Sequence, residues 1–407
     1  MILKEKSVVL GVTGGIAAYK AAALCSQLVK AGALVDVILT PAAAEFVGPL
    51  TFQALTHRPV VSDMFSLLTE TEIGHVSLAK RADLLVIAPA TANTIAKLAA
   101  GLADNMLTAT VLATEAPILL APAMESQMWA NPLTQENVER LRHLRDVAVI
   151  GPAEGRLASG ASGVGRMAEP EEILDAACWA LGRHGPLNGR RVVVTAGGTR
   201  EPLDPIRFLG NRSSGRMGYS LARAARDRGA DVMVISTVET PAPYGAKLVA
   251  VETAAEMCEA VLQALPETEV LLMAAAVADY RPARVAPGKI KKDERGLALE
   301  LERTVDILAQ VATRRRADQV VVGFAAETEN LIENAREKLA RKRLDLIVAN
   351  DARLAMGAAA SQVILVGADG RPQSLPLMSK DEVAASVLDW IIEHCGLSTR
   401  KTQEGQE

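Results

Sequence analysis

The sequence predicts an α/β protein of two successive doubly wound domains with mainly parallel sheets, and three observations carry that prediction. The chain has 407 residues, more than one hydrophobic core ordinarily spans. Hydrophobic residues make up 49% but aromatics only 3%, so the apolar mass is Ala, Val, Leu and Ile. That mix suits buried parallel strands flanked by Ala-rich helices. Finally, the succession strand, glycine turn, helix, strand occurs twice.

The first succession begins with the β-branched run Ser7–Val12, turns at Thr13-Gly14-Gly15 and continues as an Ala-rich helix to about Ala31. Gly32 then releases the chain into a strand at Val35–Leu39. The second begins with Arg191–Thr195 and turns at Ala196-Gly197-Gly198-Thr199. After an insertion come Ser213-Ser214-Gly215, a helix over Tyr219–Arg228, Gly229 and a strand at Asp231–Ile235. Further buried strands are predicted at Leu84–Ala88, Pro117–Ala121 and Val147–Ile150, and at Val270–Ala275, Val320–Phe324, Leu346–Ala349 and Gln362–Val366. Between the halves, Pro170 opens a helix to about Leu181, and the basic loop Gly182–Arg190 marks a boundary. The predicted domains are 1–184 and 188–396, followed by a polar, disordered tail at 397–407.

A net charge of −4 argues against bulk electrostatic binding to nucleic acid or anionic membrane. Cys25, Cys178, Cys258 and Cys395 lie far apart without a C-x-x-C pair, the usage of reduced thiols rather than of a zinc site or disulfide framework. The N-terminal apolar run is too short for a signal peptide, and no stretch has membrane-spanning length. A cytoplasmic location is expected.

Neither glycine turn is G-x-G-x-x-G, and neither second strand ends in the acid that holds a ribose diol in dinucleotide binders. Thr40 and Thr237 stand there instead. A small hydroxyl beside a helix N-terminus suits a phosphate, which shifts the first domain from a dinucleotide to a mononucleotide such as FMN.

Three patches cluster at strand ends of the first domain: Gly74-His75-Val76-Ser77-Leu78; Pro89-Ala90-Thr91-Ala92-Asn93-Thr94; and Pro122-Ala123-Met124-Glu125-Ser126-Gln127-Met128-Trp129. They resemble the flavin-containing cysteine decarboxylases, specifically phosphopantothenoylcysteine decarboxylase. The resemblance implies bound FMN, with Thr13, Gly14, Gly15, Ile16 and Thr40 near its phosphate end and Thr91 and Asn93 around the flavin. It implies a redox-neutral cycle in which the substrate's cysteine becomes a thioaldehyde, loses CO₂ and is reduced again to leave 4′-phosphopantetheine. His75 takes the position of the base, a role suited to imidazole near neutral pH. The chain departs from the family twice. Glu125 replaces an Asn that would donate to the substrate carboxylate, and an ionised Glu would repel it by up to several kcal/mol if both were buried. Ser159 replaces a proton-donating Cys in the substrate-covering flap Leu157–Met167, whose end Gly163-Val164-Gly165-Arg166-Met167 matches the family and supplies Arg166 and Met167 as substrate contacts beside Met124.

In the second half, Ser213-Ser214-Gly215 offers hydroxyls and backbone N–H groups to phosphate oxygens. Ala274-Ala275-Ala276-Val277-Ala278-Asp279 ends a buried strand with an acid, and Lys289-Ile290-Lys291-Lys292 forms a local cation cluster. With Thr195–Arg207, Asn211–Gly218 and Gly323–Thr328, these strings resemble phosphopantothenate–cysteine ligase. That resemblance implies a CTP-dependent, Mg²⁺-assisted reaction: 4′-phosphopantothenate becomes an acyl-cytidylate, which cysteine then attacks. Asn211 would position the acyl-cytidylate and Lys289 would stabilise charge during its formation. Ser213, Ser214, Gly215, Ala274, Ala275, Asp279, Phe324, Lys338 and Lys342 fall at nucleotide-binding positions, as does the loop Val305-Asp306-Ile307. There the family's Asn-Pro is Thr304-Val305, so looser contacts are expected. No direct metal ligand is assigned. The two resemblances together imply a homo-oligomer of trimeric flavin domains and dimeric ligase domains.

Two rival readings remain at this point. A flavin-storing or nucleotide-sensing protein would need only the glycine turns. A ligase with an impaired first domain would be consistent with Glu125 and Ser159.

Overall fold

The computed structural model describes residues 2–64, 74–291, 297–327, 330–351 and 360–397. Lys292, Thr328 and residues 398–407, all named above, lie outside the described residues. The chain divides into two compact units, Met1–Gly182 and Arg183–Glu407. Leu397, assigned above to the polar tail, is instead buried in the core of the second unit, because an apolar side chain at the end of the last helix still reaches that core.

In the first unit β1 (Ser7–Val12), β2 (Leu34–Leu39), β3 (Val60–Val61), β4 (Leu84–Ala90), β5 (Ile118–Pro122) and β6 (Val147–Val149) form a parallel sheet in the order β3-β2-β1-β4-β5-β6. Val8, Val9, Leu10 and Val12 are fully buried, as a doubly wound sheet covered on both faces requires. The helix Ala18–Lys30 ends at Ala31, and Gly32 turns the chain toward β2 with φ +89°, a conformation that only glycine adopts without cost. Gly229 makes the same turn in the second unit with φ +92°. The chain order reverses between β1 and β4, which opens a crevice at their C-terminal ends.

The second unit carries an eight-stranded sheet in the order Lys247–Ala250, Asp231–Ser236, Arg191–Ala196, Val270–Met273, Val320–Glu327, Leu346–Asp351, Val363–Gly367 and Pro372–Ser374. The first six strands are parallel and the last two antiparallel, so the sheet is mainly parallel. Along Arg191–Ala196 the side chains alternate between two cores, with Val192, Val194 and Ala196 on one face and Val193 on the other. Ser379 and Glu382 form a capping box that starts the last helix, Lys380–His394, whose buried face is Val383, Ala384, Val387, Leu388 and Ile391. Arg223–Asp381 (3.0 Å) and Arg228–Asp389 (2.6 Å) join that helix to Arg216–Arg226 and the turn after it. None of the four cysteines forms a disulfide. Burial pushes the Cys25 thiol up to about 12.

Candidate active sites

In the first unit a cavity of about 950 Å³ opens at the C-terminal ends of β1, β2, β4 and β5. It is lined by Gly14, Gly15, Ile16, Thr40, Thr91, Asn93, Met124, Glu125, Arg166 and Met167, residues predicted from five separate stretches of the sequence. Thr40 caps the helix Pro41–Ala44, and Thr91 caps Ala92–Ala100 by accepting from the Thr94 N–H at 3.3 Å. A Cβ on Gly14 would fall 2.4 Å from the Ala42 Cβ, so this turn accepts no side chain and presents bare backbone to the cavity. An apolar wall of Ile16, Met124, Met128 and Leu157, facing the hydroxyls and amide of Thr40, Thr91 and Asn93, fits a flat ring system carrying a phosphate.

A hairpin, Ala153–Arg156 paired with Ser162–Arg166, lies against this cavity. Its motif has a steric cause. A Cβ on Gly163 would sit 2.4 Å from Ser126 Oγ, and one on Gly165 would sit 2.2 Å from the Met124 carbonyl oxygen. The Met124 N–H donates to the Gly165 carbonyl at 3.0 Å, so the hairpin and the Pro122–Met124 strand end form one wall. Arg166 is aimed by Glu169, whose Oε1 accepts from Arg166 at 2.9 Å and from Lys20 at 2.8 Å. The Lys20 hydrogen bond holds the Glu169 carboxyl below its ordinary range, against an opposing effect of burial. Lys20 and Arg156 also line the cavity, and sequence reasoning passed over both; their positions within a helix and a strand gave no motif to find.

Three predicted site residues lie elsewhere. The Thr13 side chain is buried and donates to the Pro89 carbonyl at 2.7 Å while accepting from the Thr91 N–H at 3.2 Å. Thr13 therefore clips the β1 turn to the end of β4 instead of facing the cavity. Ser159 is exposed near the hairpin tip, and its Oγ accepts from the Ala161 N–H at 3.4 Å. His75 does not line the cavity of its own unit. It begins the helix Gly74–Arg81, which packs on Met106–Ala113; Asn105, the cap of that second helix, does line the cavity. At the other end of the His75 helix, Arg81 pairs with buried Asp36 at 3.0 Å. Among the described residues the buried His75 Nδ1 meets no hydrogen-bond partner.

In the second unit, residues 274–279 form a hub held by backbone and hydroxyl bonds. Thr195 Oγ1 accepts from the Ala275 N–H (3.1 Å), Thr199 Oγ1 accepts from the Ala278 N–H (2.9 Å), and the Ala276 N–H donates to the Gly197 carbonyl (2.8 Å). Asn211 Nδ2 donates to the Val277 carbonyl at 3.0 Å, which brings Asn211 to Ala274, Ala275 and Asp279. The exposed Ser213 and Ser214 precede Gly215, the cap of Arg216–Arg226, whose free N–H groups suit an anion. Thr237 differs from its reading as a phosphate ligand: its buried hydroxyl donates to the Gly198 carbonyl at 2.8 Å and so braces the glycine turn.

The Thr304–Ile307 loop, expected to hold its contacts loosely, is tied firmly. Thr304 Oγ1 donates to the Ala278 carbonyl at 2.5 Å and its N–H to the Asp279 carbonyl at 3.0 Å, a bond pair that the family's Asn is not needed to make. Asp306 caps Ile307–Arg314 and pairs with Lys342. Burial would raise the Asp306 carboxyl, but the Lys342 bond and the cap bring it below its usual range. Lys338, one turn before Lys342, donates to the Phe324 carbonyl at 2.9 Å. Val305 sits half-buried next to Asp306, and Lys289 is exposed on a loop. The structure thus ties Asn211 and Thr304 to the hub that contains Ala274, Ala275 and Asp279, with Val305 and Asp306 next in the chain and Ile307 buried in the core.

Residues 2–181 match the family model described as flavoprotein, and residues 187–395 match the model of the DNA/pantothenate metabolism flavoprotein C-terminal domain. The chain is 46% identical over 397 residues to the coenzyme A biosynthesis bifunctional protein CoaBC of Bacillus subtilis, covering 96% of this chain and 97% of that one. It is 45% identical to the protein of the same name from Vibrio cholerae (96% and 99% covered) and 46% identical to that from Mycobacterium tuberculosis (95% and 96% covered). No helix among the described residues is long and apolar enough to cross a membrane. The chain belongs to the family of bifunctional coenzyme A biosynthesis proteins, enzymes that join a flavoprotein decarboxylase domain to a ligase domain.

Proposed function

We propose that the second unit ligates 4′-phosphopantothenate to cysteine using CTP and Mg²⁺, and that the first unit, carrying FMN, decarboxylates the resulting 4′-phosphopantothenoylcysteine to 4′-phosphopantetheine. The observation that carries this reading is the coincidence of predicted ligand residues from five stretches on one cavity, with a glycine-fitted hairpin beside it.

The flavin, when bound between the Gly14–Ile16 turn and the Thr91–Asn93 helix start, supplies reversible two-electron oxidation of the substrate. The chain's own residues bind and orient. Met124 and the hairpin cover the substrate end and exclude water; Arg166, fixed by Glu169, offers a cation to a substrate anion. Glu125 lines the same wall, and its side chain makes no capping bond to Ser126–Ala130. His75, outside the lining of its own unit, is assigned as the base in an assembly where another copy completes the site. The exposed Phe46 and Leu50 support an interface between copies, and the flavin domains are read as trimeric and the ligase domains as dimeric from the family resemblance.

In the ligase, the 4′-phosphopantothenate carboxylate attacks the α-phosphorus of CTP; the P–O bond to pyrophosphate breaks and pyrophosphate leaves. Cysteine's amine then attacks the acyl carbon, the C–O bond to CMP breaks, and the ammonium proton is lost. Lys289 faces the charge that develops in the first step, and Asn211 orients the acyl-cytidylate in the second. Asp279, Phe324, Lys338 and Lys342 hold the nucleotide, with Ser213–Gly215 at its phosphates. Mg²⁺ enters with the triphosphate, the usual mode for an ion that keeps waters and phosphate oxygens as ligands. The location is read as cytoplasmic. The test supplies each half-reaction separately: purified protein is expected to be yellow, to release CO₂ from 4′-phosphopantothenoylcysteine, and to release pyrophosphate from CTP only with 4′-phosphopantothenate present. Flavin retained without CO₂ release would leave the ligase alone.

A further inference from the structure

The loop bearing Lys289 runs between Tyr280–Pro282 and Leu301–Arg303, and at its base the Ala283 N–H donates to the Glu300 carbonyl at 2.9 Å. Midway along it one buried carboxylate holds it. The Asp204 side chain has no solvent exposure. Its Oδ1 accepts from the Ile206 and Arg207 N–H groups, both at 2.8 Å, which closes the turn Leu203–Arg207 in the ordinary manner of an Asx turn. A turn needs nothing more. Yet Oδ2 accepts from Arg207 Nε at 2.9 Å and from the N–H of Ile290 at 3.1 Å, while Arg207 donates onward to the Ile290 carbonyl. The Ala286 N–H also donates to the Leu203 carbonyl at 3.0 Å. Both backbone polar groups of Ile290 are thereby fixed, Ile290 is half-buried, and its neighbours Lys289 and Lys291 are exposed.

We propose that Asp204 is a positioning residue of the ligase, acting through Lys289 on the nucleotide-activation step. The proposal rests on the role given to Lys289 above. A lysine on an untethered loop must be ordered at each turnover, whereas a cation held in place before substrate arrives loses no such freedom. Arg207 belongs to the same tie: burial would raise the Asp204 carboxyl, but the N–H groups of Ile206, Ile290 and Arg207, with the Arg207 charge added, outweigh it and bring the carboxyl down to about 2. The tie is therefore intact throughout the pH range in which the enzyme works.

The experiment is a double-mutant cycle on the full chain, reading pyrophosphate release from CTP with 4′-phosphopantothenate. Asp204→Asn keeps the size but weakens the reach to Ile290 and Arg207; it is expected to slow pyrophosphate release at least about tenfold, mainly in kcat. In a Lys289→Gln background the same change is expected to add less than about twofold, because the residue through which it acts is gone. Trypsin cleavage after Lys289 or Lys291 should accelerate in Asp204→Asn. Should that variant fail to fold, Asp204→Ser retains a hydroxyl for the turn and drops only the tie, and the same non-additivity is expected of it. Multiplicative losses in the double mutant would overturn the role of Asp204 while leaving Lys289 in place. Undiminished pyrophosphate release by Lys289→Gln alone would overturn the role of Lys289, and with it the positioning role of Asp204, while leaving the ligase reaction in place.

Discussion

The two sites are built on similar parallel sheets and yet hold their ligand residues by opposite means. In the first unit the residues converge on a ready cavity from four strand ends, and the cavity wall is fitted glycine against backbone at Gly163 and Gly165. In the second, the hub at 274–279 is rigid through its own backbone bonds, but the cation Lys289 stands on an exposed loop that depends on a distant carboxylate. The difference matches what each binds on the proposed function. There a flavin stays through every cycle and is served by a preformed cavity, whereas a nucleotide and two substrates enter and leave, and are served by loops tethered at single points.

The contrast can be broken most sharply at the ligase. Lys289→Gln is expected to lower pyrophosphate release by about 10²–10³-fold, the usual cost of removing a group that stabilises developing charge. Asn211→Asp should leave that step nearly intact and slow amide formation, seen as a burst of pyrophosphate with little phosphopantothenoylcysteine. In the first unit, Gly165→Ala forces a Cβ toward the Met124 carbonyl; it should destabilise that unit by about 1–3 kcal/mol and depress CO₂ release, with pyrophosphate release unchanged. Glu125→Asn removes the charge that opposes a substrate carboxylate and should raise kcat/KM for decarboxylation about severalfold. An unchanged value would mean that the Glu125 carboxylate faces away from the substrate. The smallest effect concerns acid stability. The folded Asp204 carboxyl, at about 2, lies below the unfolded value of about 3.9, so its contribution is complete above about pH 4 and is lost as pH falls toward 2. Denaturant titrations of wild type and Asp204→Asn should therefore differ by a constant amount at pH 5 and 7, by about half of that at pH 3, and converge only below about pH 2.

Much of this architecture was legible in the sequence because it is written locally. Ser7–Val12 and Arg191–Ala196 are β-branched runs that end in glycine turns, and burial of all but the first residue of each strand follows from the run itself. Val60–Val61 escaped notice because two residues leave no period to read, and Lys247–Ala250 because a short edge strand of mostly exposed residues shows no buried face. The sites divide similarly. Thr40 and Thr91 announce themselves as helix caps beside glycine turns, and both line the cavity. Thr13 and Thr237 have the same chemistry in equivalent places, but their hydroxyls are consumed by the Pro89 and Gly198 carbonyls. A hydroxyl's partner, ligand or backbone, is decided by tertiary approach and not by its neighbours in the chain. Glu169 meets Arg166 three residues away but also Lys20 of a distant helix, and Asp204 meets Ile290 far along the chain, so no local pattern exposes the Lys20 and Ile290 ties.

Supplying 4′-phosphopantothenate, cysteine, CTP and Mg²⁺ together and weighing the product by mass spectrometry tests the claim of two working sites most directly. The assignment predicts 4′-phosphopantetheine with one CO₂ released for each pyrophosphate. Accumulation of 4′-phosphopantothenoylcysteine by protein that retains its flavin would contradict it.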